Sequence, residues 1–321
     1  MEKLALGSLE VTILSVPERE ELKKIIKGYL EEYVKSNSTL VVAETPDRKY
    51  YARDVVGVAQ TFEAQAAGMS MAETLRYGDV VGRSLEFMIK RNPTYHELPF
   101  LSGQVLMGIG DQMRAWVYEN KDTPAAKRDL LKKTSLIYLN TAVRSFMTER
   151  SLIKSKENPI LNAYITTIDG HQAHARLVEA SSRLNFMDNS RAVGINAIGI
   201  EKKIVMEPGE VPEGQEPFEE WIIKKSDGAV RGVFTAAQSA ARLYRTMLSS
   251  QPFPDKESAA KALANYVQTA LFFPSLQEEM KMVAYLDAAE TVLGRNNAID
   301  ETRKILKEIE IREQWRKRTL Q

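Results

Sequence analysis

The chain has 321 residues, with 44 basic and 43 acidic side chains for a formal charge of +1, 44% apolar residues and no cysteine. That apolar share is enough to bury a core in one large domain or two modest ones, and the balanced charge gives no global attraction to nucleic acid, anionic lipid or an acidic substrate. The lack of cysteine excludes disulfides, thiol catalysis and cysteine-ligated zinc or iron–sulfur centres.

The N-terminus "MEKLALGSLEVTILSVPERE" carries neither a basic n-region nor an apolar h-region. No window approaches the about 18 uninterrupted apolar residues of a membrane span, so a cytoplasmic address is expected. Glu, Lys, Arg, Ile and Val are plentiful, a mixture favoured in proteins of hot-growing organisms.

In chain order, "LEVTILS" alternates as a strand does, and "SVPEREELKKIIKGYLEEYVKSN" follows as a helix opened by a Ser15/Glu18 capping box and a proline in its first turn. "STLVVAET" reads as a second strand and "PDRKYYARDVV" as the place of a third. From residue 54 the period changes to that of helices, with a further capping box at Ser70 and Glu73. Asp169 is read as the N-cap of the helix that carries His171 and His174. "AVGINAIGIEKKIVME", "PFEEWIIKK" and "SDGAVRGVF" are β-rich in type, with an Asp-Gly turn signal. Helical periodicity then returns, with a capping box at Ser275 and Glu278.

The expectation is a mainly α protein. A small α/β element occupies 1–53, a helical domain 54–192 and an inserted β-hairpin or three-stranded ribbon 193–235, followed by a C-terminal helical segment, 236–321, packing on 54–192.

Few groupings carry chemistry. Arg91, Asn92 and His96 spell R-N-x-x-x-H inside "RNPTYH". The spelling resembles that of the HEPN ribonuclease superfamily, helical proteins common in defence systems. The resemblance implies that Arg91 and His96 form an acid/base pair assisting attack of an RNA 2′-hydroxyl. Pro93 and Pro99 confine any helix here to about one turn, which makes Asn92 a helix C-terminus and His96 a loop residue. The resemblance covers this motif and not the chain as a whole.

His171 and His174 share a helical face and are the candidate metal ligands, with Asp169 or Glu179 nearby. A site needs a third ligand, so neither metal nor cofactor is expected. "LMGIGDQM" lacks the third glycine of a dinucleotide fingerprint, and close helix packing accounts better for Gly108 and Gly110.

The basic residues are more suggestive. Arg144, Arg150 and Lys154 lie close together, Arg176 and Arg183 are spaced to share a helical face, and Arg316 and Lys317 flank Trp315 near the C-terminus. Such stripes suit a phosphate backbone, with Trp221 and Trp315 available for stacking or for a partner. The favoured expectation is a non-enzymatic subunit of a multi-protein assembly that binds RNA or DNA, such as a defence or mobile-element ribonucleoprotein. Its alternatives are a HEPN-like metal-independent ribonuclease using Arg91 and His96, and a structural shell or scaffold protein that self-associates.

Overall fold

The computed structural model describes residues 1–45, 48–66, 68–120, 122–153, 158, 160–186, 228–272 and 282–307. The protein is mainly α with small β elements. The elements are β1 (Glu2–Leu6), β2 (Leu9–Ile13), α1 (Val16–Ser36), β3 (Val41–Thr45), β4 (Arg48–Tyr51), α2 (Ala52–Ala66), α3 (Met71–Arg91), α4 (Leu98–Glu119), α5 (Ala125–Leu152), α6 (Leu161–Phe186), α7 (Gly228–Ser250), β5 (Pro252–Phe253), α8 (Lys256–Ala270) and α9 (Met282–Leu293). No described helix is long and apolar enough to cross a membrane.

Two compact units divide the chain: Met1–Leu14 with Glu179–Gln321, and Ser15–Val178. In the first, β1 and β2 form an antiparallel hairpin turned at Gly7, whose φ of +64° is the left-handed conformation that glycine tolerates. β5 adds to β2 in parallel, and the Leu14 N–H donates to the Phe253 carbonyl at 2.9 Å. Helix α7 turns Val233, Ala237, Ala240 and Tyr244 inward at helical spacing. Gly228 already belongs to α7, so 228–235 are helical and not the end of a β-ribbon. Val233 and Phe234, read as strand residues by their type, are buried on the α7 face, where packing overrides β-propensity. The remainder of the expected ribbon, 193–227, and the Ser275/Glu278 capping box lie outside the described residues.

The Ser15–Val178 unit is built around α4. Its core gathers Leu30 and Tyr33 of α1, Val55, Ala59 and Phe62 of α2, Val81, Leu85 and Met88 of α3, and Leu101, Val105, Ile109 and Met113 of α4. Two expected capping boxes open its helices. The Ser15 N–H donates to the Glu18 carboxylate at 2.9 Å, and the Ser70 N–H to that of Glu73 at 2.9 Å. Glycines let the helices approach: a methyl at Gly103 would meet the Phe146 ring at 2.5 Å, and one at Gly110 the Leu139 side chain at 2.9 Å. Hairpin β3–β4 also belongs to this unit.

Candidate functional site

The segment between α3 and α4 is short and fixed at both ends. Asn92 caps α3, its N–H donating to the Met88 carbonyl at 3.0 Å, and Pro93 prevents continuation. The Tyr95 N–H closes a turn on the Asn92 carbonyl at 3.2 Å, and Pro99 sits in the first turn of α4. His96 therefore stands in a loop, as the two prolines require.

Glu97 follows as the N-cap of α4 with φ +74°, the one positive φ at a non-glycine position among the described residues. A left-handed glutamate is costly, on the order of 1–3 kcal/mol, and persists only where its surroundings over-determine it. Here they do. The Glu97 N–H donates to the Glu149 carboxylate at 2.9 Å, and the Glu97 carbonyl accepts from the Leu101 N–H at 2.9 Å.

Glu149 comes from the core face of α5, in register with Ser135, Leu139, Ala142 and Phe146, and its side chain is fully buried. Tyr164 of α6 donates its hydroxyl to the Glu97 carboxylate and lies 3.4 Å from the Glu149 Oε1. His96 places Nδ1 3.4 Å from the same Glu149 oxygen. Two buried carboxyl groups, a phenol and an imidazole thus converge from α4, α5, α6 and the loop.

Burial pushes the Glu97 carboxyl up to about 8; the Tyr164 hydrogen bond opposes this and the neighbouring Glu149 charge adds to it. Glu97 therefore keeps its proton at neutral pH. Burial, with the two carboxylates beside it, drives the Tyr164 phenol well above its ordinary range, so it remains a hydrogen-bond donor.

The imidazole of this group reaches a cavity. His96, with its side chain about one quarter exposed, lines a pocket of about 340 Å³ together with Tyr29, Glu32, Thr94 and Tyr95. Tyr29 stacks on His96 with ring centroids 4.7 Å apart, and Tyr33 meets Tyr95 edge-on at 5.0 Å. Burial raises the Tyr33 phenol, while the Asn92 amide and the Arg91 charge nearby pull it down. Tyr33 thus feels both Arg91 and Asn92 at the end of α3, one turn along α1 from the Tyr29 that stacks on His96.

The other sequence-derived candidates are scattered. Asp169 is not an N-cap: α6 already begins at Leu161, and Asp169 is buried mid-helix, accepting from Arg150 Nε at 2.7 Å. The helix starts earlier because Ala163, Tyr164 and Ile168 bury one continuous face ahead of Asp169. His171 packs against the rings of Phe100 and Phe146 at 5.0 and 5.7 Å. No cluster of three or more metal-binding side chains exists among the described residues, which leaves His171 and His174 without a third ligand there.

Arg176 donates to Asn140 at 3.0 Å, and Arg183 grips the buried Glu179 through two nitrogens at 2.7 and 2.9 Å. Arg144 is exposed on α5. Lys154, Trp221, Trp315, Arg316 and Lys317 lie outside the described residues. Glu97, Glu149, Tyr164, Tyr29 and Glu32 escaped sequence reasoning. The one legible signal was Glu149, an acid at a core position of an otherwise apolar helix face.

No family model matches the chain, and neither does any curated protein or solved structure.

Proposed function

We propose that this protein cleaves RNA by acid–base catalysis at the loop between α3 and α4, with His96 as the proton-transferring residue. The observation that carries the reading is the placement of His96, with Nδ1 3.4 Å from the buried Glu149 carboxylate and the ring lining the pocket. That approach lacks hydrogen-bond geometry, so the ring is held by proximity to Glu149 and by stacking on Tyr29, and in the proposed reaction Nε2 accepts the proton.

In this reaction Nε2 of His96 takes the proton of a ribose 2′-hydroxyl, and the oxygen attacks the adjacent phosphorus. The bond from phosphorus to the 5′-oxygen breaks, and that oxygen leaves with a proton drawn from water. The products are a 2′,3′-cyclic phosphate and a 5′-hydroxyl. Exposed Arg91, at the end of α3, meets the phosphate charge. Glu97, Glu149 and Tyr164 act through His96 and are positioning residues. The test is a single-stranded RNA in which individual riboses are replaced by 2′-deoxyribose. Cutting should vanish at each replaced position and leave cyclic-phosphate ends elsewhere; cutting at a deoxy position would sink the mechanism.

A second reading, a nucleic-acid-binding subunit of a larger assembly, is favoured by one observation. Helix α5 presents Arg144 beside Leu130 and Ile137, two apolar side chains each 64% exposed, at heptad spacing on one face. In that role Arg144 contacts a phosphate and the apolar pair a protein partner. Arg144→Glu should then weaken binding of a nucleic-acid oligomer several-fold and lower its salt dependence by about one ion. An unchanged affinity and salt slope would count against it.

A further inference from the structure

Tyr29, Glu32 and Tyr33 follow one another at i, i+3 and i+4 on α1, so they share one helical face. Three of the other acids of α1 are engaged, while Glu21, outside the pocket lining, has no such partner among the described residues. Glu18 closes the capping box, Glu20 pairs with Lys23 at 2.8 Å and Glu31 with Lys27 at 3.2 Å. Glu32 has no hydrogen-bond or ion-pair partner among the described residues, and it lines the same pocket as His96. The pocket joins this carboxylate to the aromatic surface of Tyr29 and Tyr95 and the Thr94 hydroxyl. At about 340 Å³ it lies at the small end of ligand sites, which run from about 300 to 1,000 Å³, and suits one flat ring system.

An unpaired carboxylate beside aromatic rings is a selective arrangement for a nucleobase. A carboxylate offers two acceptor oxygens side by side and no donor. Guanine presents N1–H and the 2-amino group next to each other on its Watson–Crick edge, two parallel donors that match it. Adenine and cytosine each set one amino group beside a ring-nitrogen acceptor, which would face the carboxylate with like charge. Uracil flanks its one N–H with two carbonyls. Unpaired bases read on this edge and stacked on aromatic side chains are the usual target of sequence-specific RNA recognition.

We infer that the pocket bounded by Tyr29, Glu32 and Tyr95 holds a guanine base, read by the Glu32 carboxylate, next to the phosphodiester on which His96 acts. The inference rests on the RNA reading above for its setting, but the recognition itself is a binding property and needs no turnover. It makes Glu32 a specificity-determining residue and gives the pocket's acid a purpose compatible with an anionic substrate: the carboxylate faces the base, and Arg91 serves the phosphate.

The experiment is calorimetric titration of the full chain with guanosine 3′-monophosphate and with adenosine 3′-monophosphate, for the wild type and for Glu32→Gln. Guanylate should bind roughly ten- to hundredfold more tightly than adenylate, the discrimination one bidentate contact gives. Inosine 3′-monophosphate, which lacks the 2-amino group, should fall between them. Glu32→Gln should bring guanylate down to the adenylate level, because the Gln amide sets a donor against a donor; circular dichroism checks that this surface variant is folded. Equal affinity for the two nucleotides, or a guanylate preference that survives Glu32→Gln, overturns the inference. A Glu32-dependent preference in a protein that never cuts RNA would uphold it and overturn the catalytic reading instead.

Discussion

Glu97 and Glu149, 52 residues apart, are joined by a 2.9 Å hydrogen bond from the Glu97 backbone N–H to the Glu149 carboxylate. The bond holds Glu97 in its left-handed conformation and thereby sets where His96, its chain neighbour, points. The same buried carboxylate lies 3.4 Å from the imidazole Nδ1, and its removal should affect stability and activity separately.

Glu149→Gln keeps an acceptor oxygen for the Glu97 N–H but removes the charge beside His96. RNA cleavage should fall about 10- to 100-fold in kcat with little change in KM, the usual effect of losing a group that orients a histidine. Glu149→Leu also orphans a buried N–H and should cost a further 1–3 kcal/mol or so in urea unfolding. Equal stability of the two variants would contradict the proposed backbone role.

The Glu97 carboxyl gives a pH-dependent signature. An unfolded glutamate releases its proton near its ordinary value of 4.5, whereas Glu97 in the folded protein holds it up to about 8. Between these values the folded state binds the extra proton, so raising the pH favours unfolding. This contribution is fully present below pH 4.5 and is lost as the pH rises through about 8. The difference in unfolding free energy between wild type and Glu97→Gln should therefore move against the wild type from pH 5 to 8, by at most about 1.4 kcal/mol per pH unit. A difference independent of pH would show that Glu97 titrates normally.

Tyr164→Phe removes the hydroxyl that lowers the Glu97 pKa, so Glu97 should titrate at still higher pH. Carbon-detected NMR of the glutamate carboxyls, comparing wild type with the variant, follows it directly. A downward movement of that resonance's midpoint would reverse the assigned role of the phenol.

Two glycines make a paired test of packing. Gly103→Ala brings a methyl within 2.5 Å of the Phe146 ring, one turn before Glu149 on α5, and should destabilise by about 1–3 kcal/mol while also impairing cleavage. Gly57→Ala, on α2 with open space around it, should stabilise by up to about 1 kcal/mol. Denaturant titration of both variants checks the contrast; similar behaviour would mean that α4 and α5 are not held at that distance.

Local features of this fold were legible because their causes lie within a few residues. The Ser15/Glu18 and Ser70/Glu73 capping boxes, the strand over Leu9–Ile13 and the stop at Asn92 before Pro93 follow from neighbouring side chains. The site was much less legible. R-N-x-x-x-H marked the loop, but the neighbours of His96, Tyr29 and Glu149, come from two other helices, and Tyr164 joins Glu97 from a third, which no spacing rule brings together. The left-handed Glu97 carried no glycine or asparagine to signal it. Basic stripes were only partly legible for a related reason. A sequence counts charges without their partners, and Arg150 finds Asp169 nineteen positions away, while Arg183 folds back on Glu179.

Catalysis by His96 is tested most directly by cleavage of a labelled single-stranded RNA by wild type and His96→Ala, purified in parallel and matched by circular dichroism. Wild type should cut to 2′,3′-cyclic phosphate ends, with a loss of at least about 100-fold on removal of the imidazole, as expected for a general acid–base residue. Cleavage that survives His96→Ala at the wild-type rate, or no cleavage by either protein, would contradict that role.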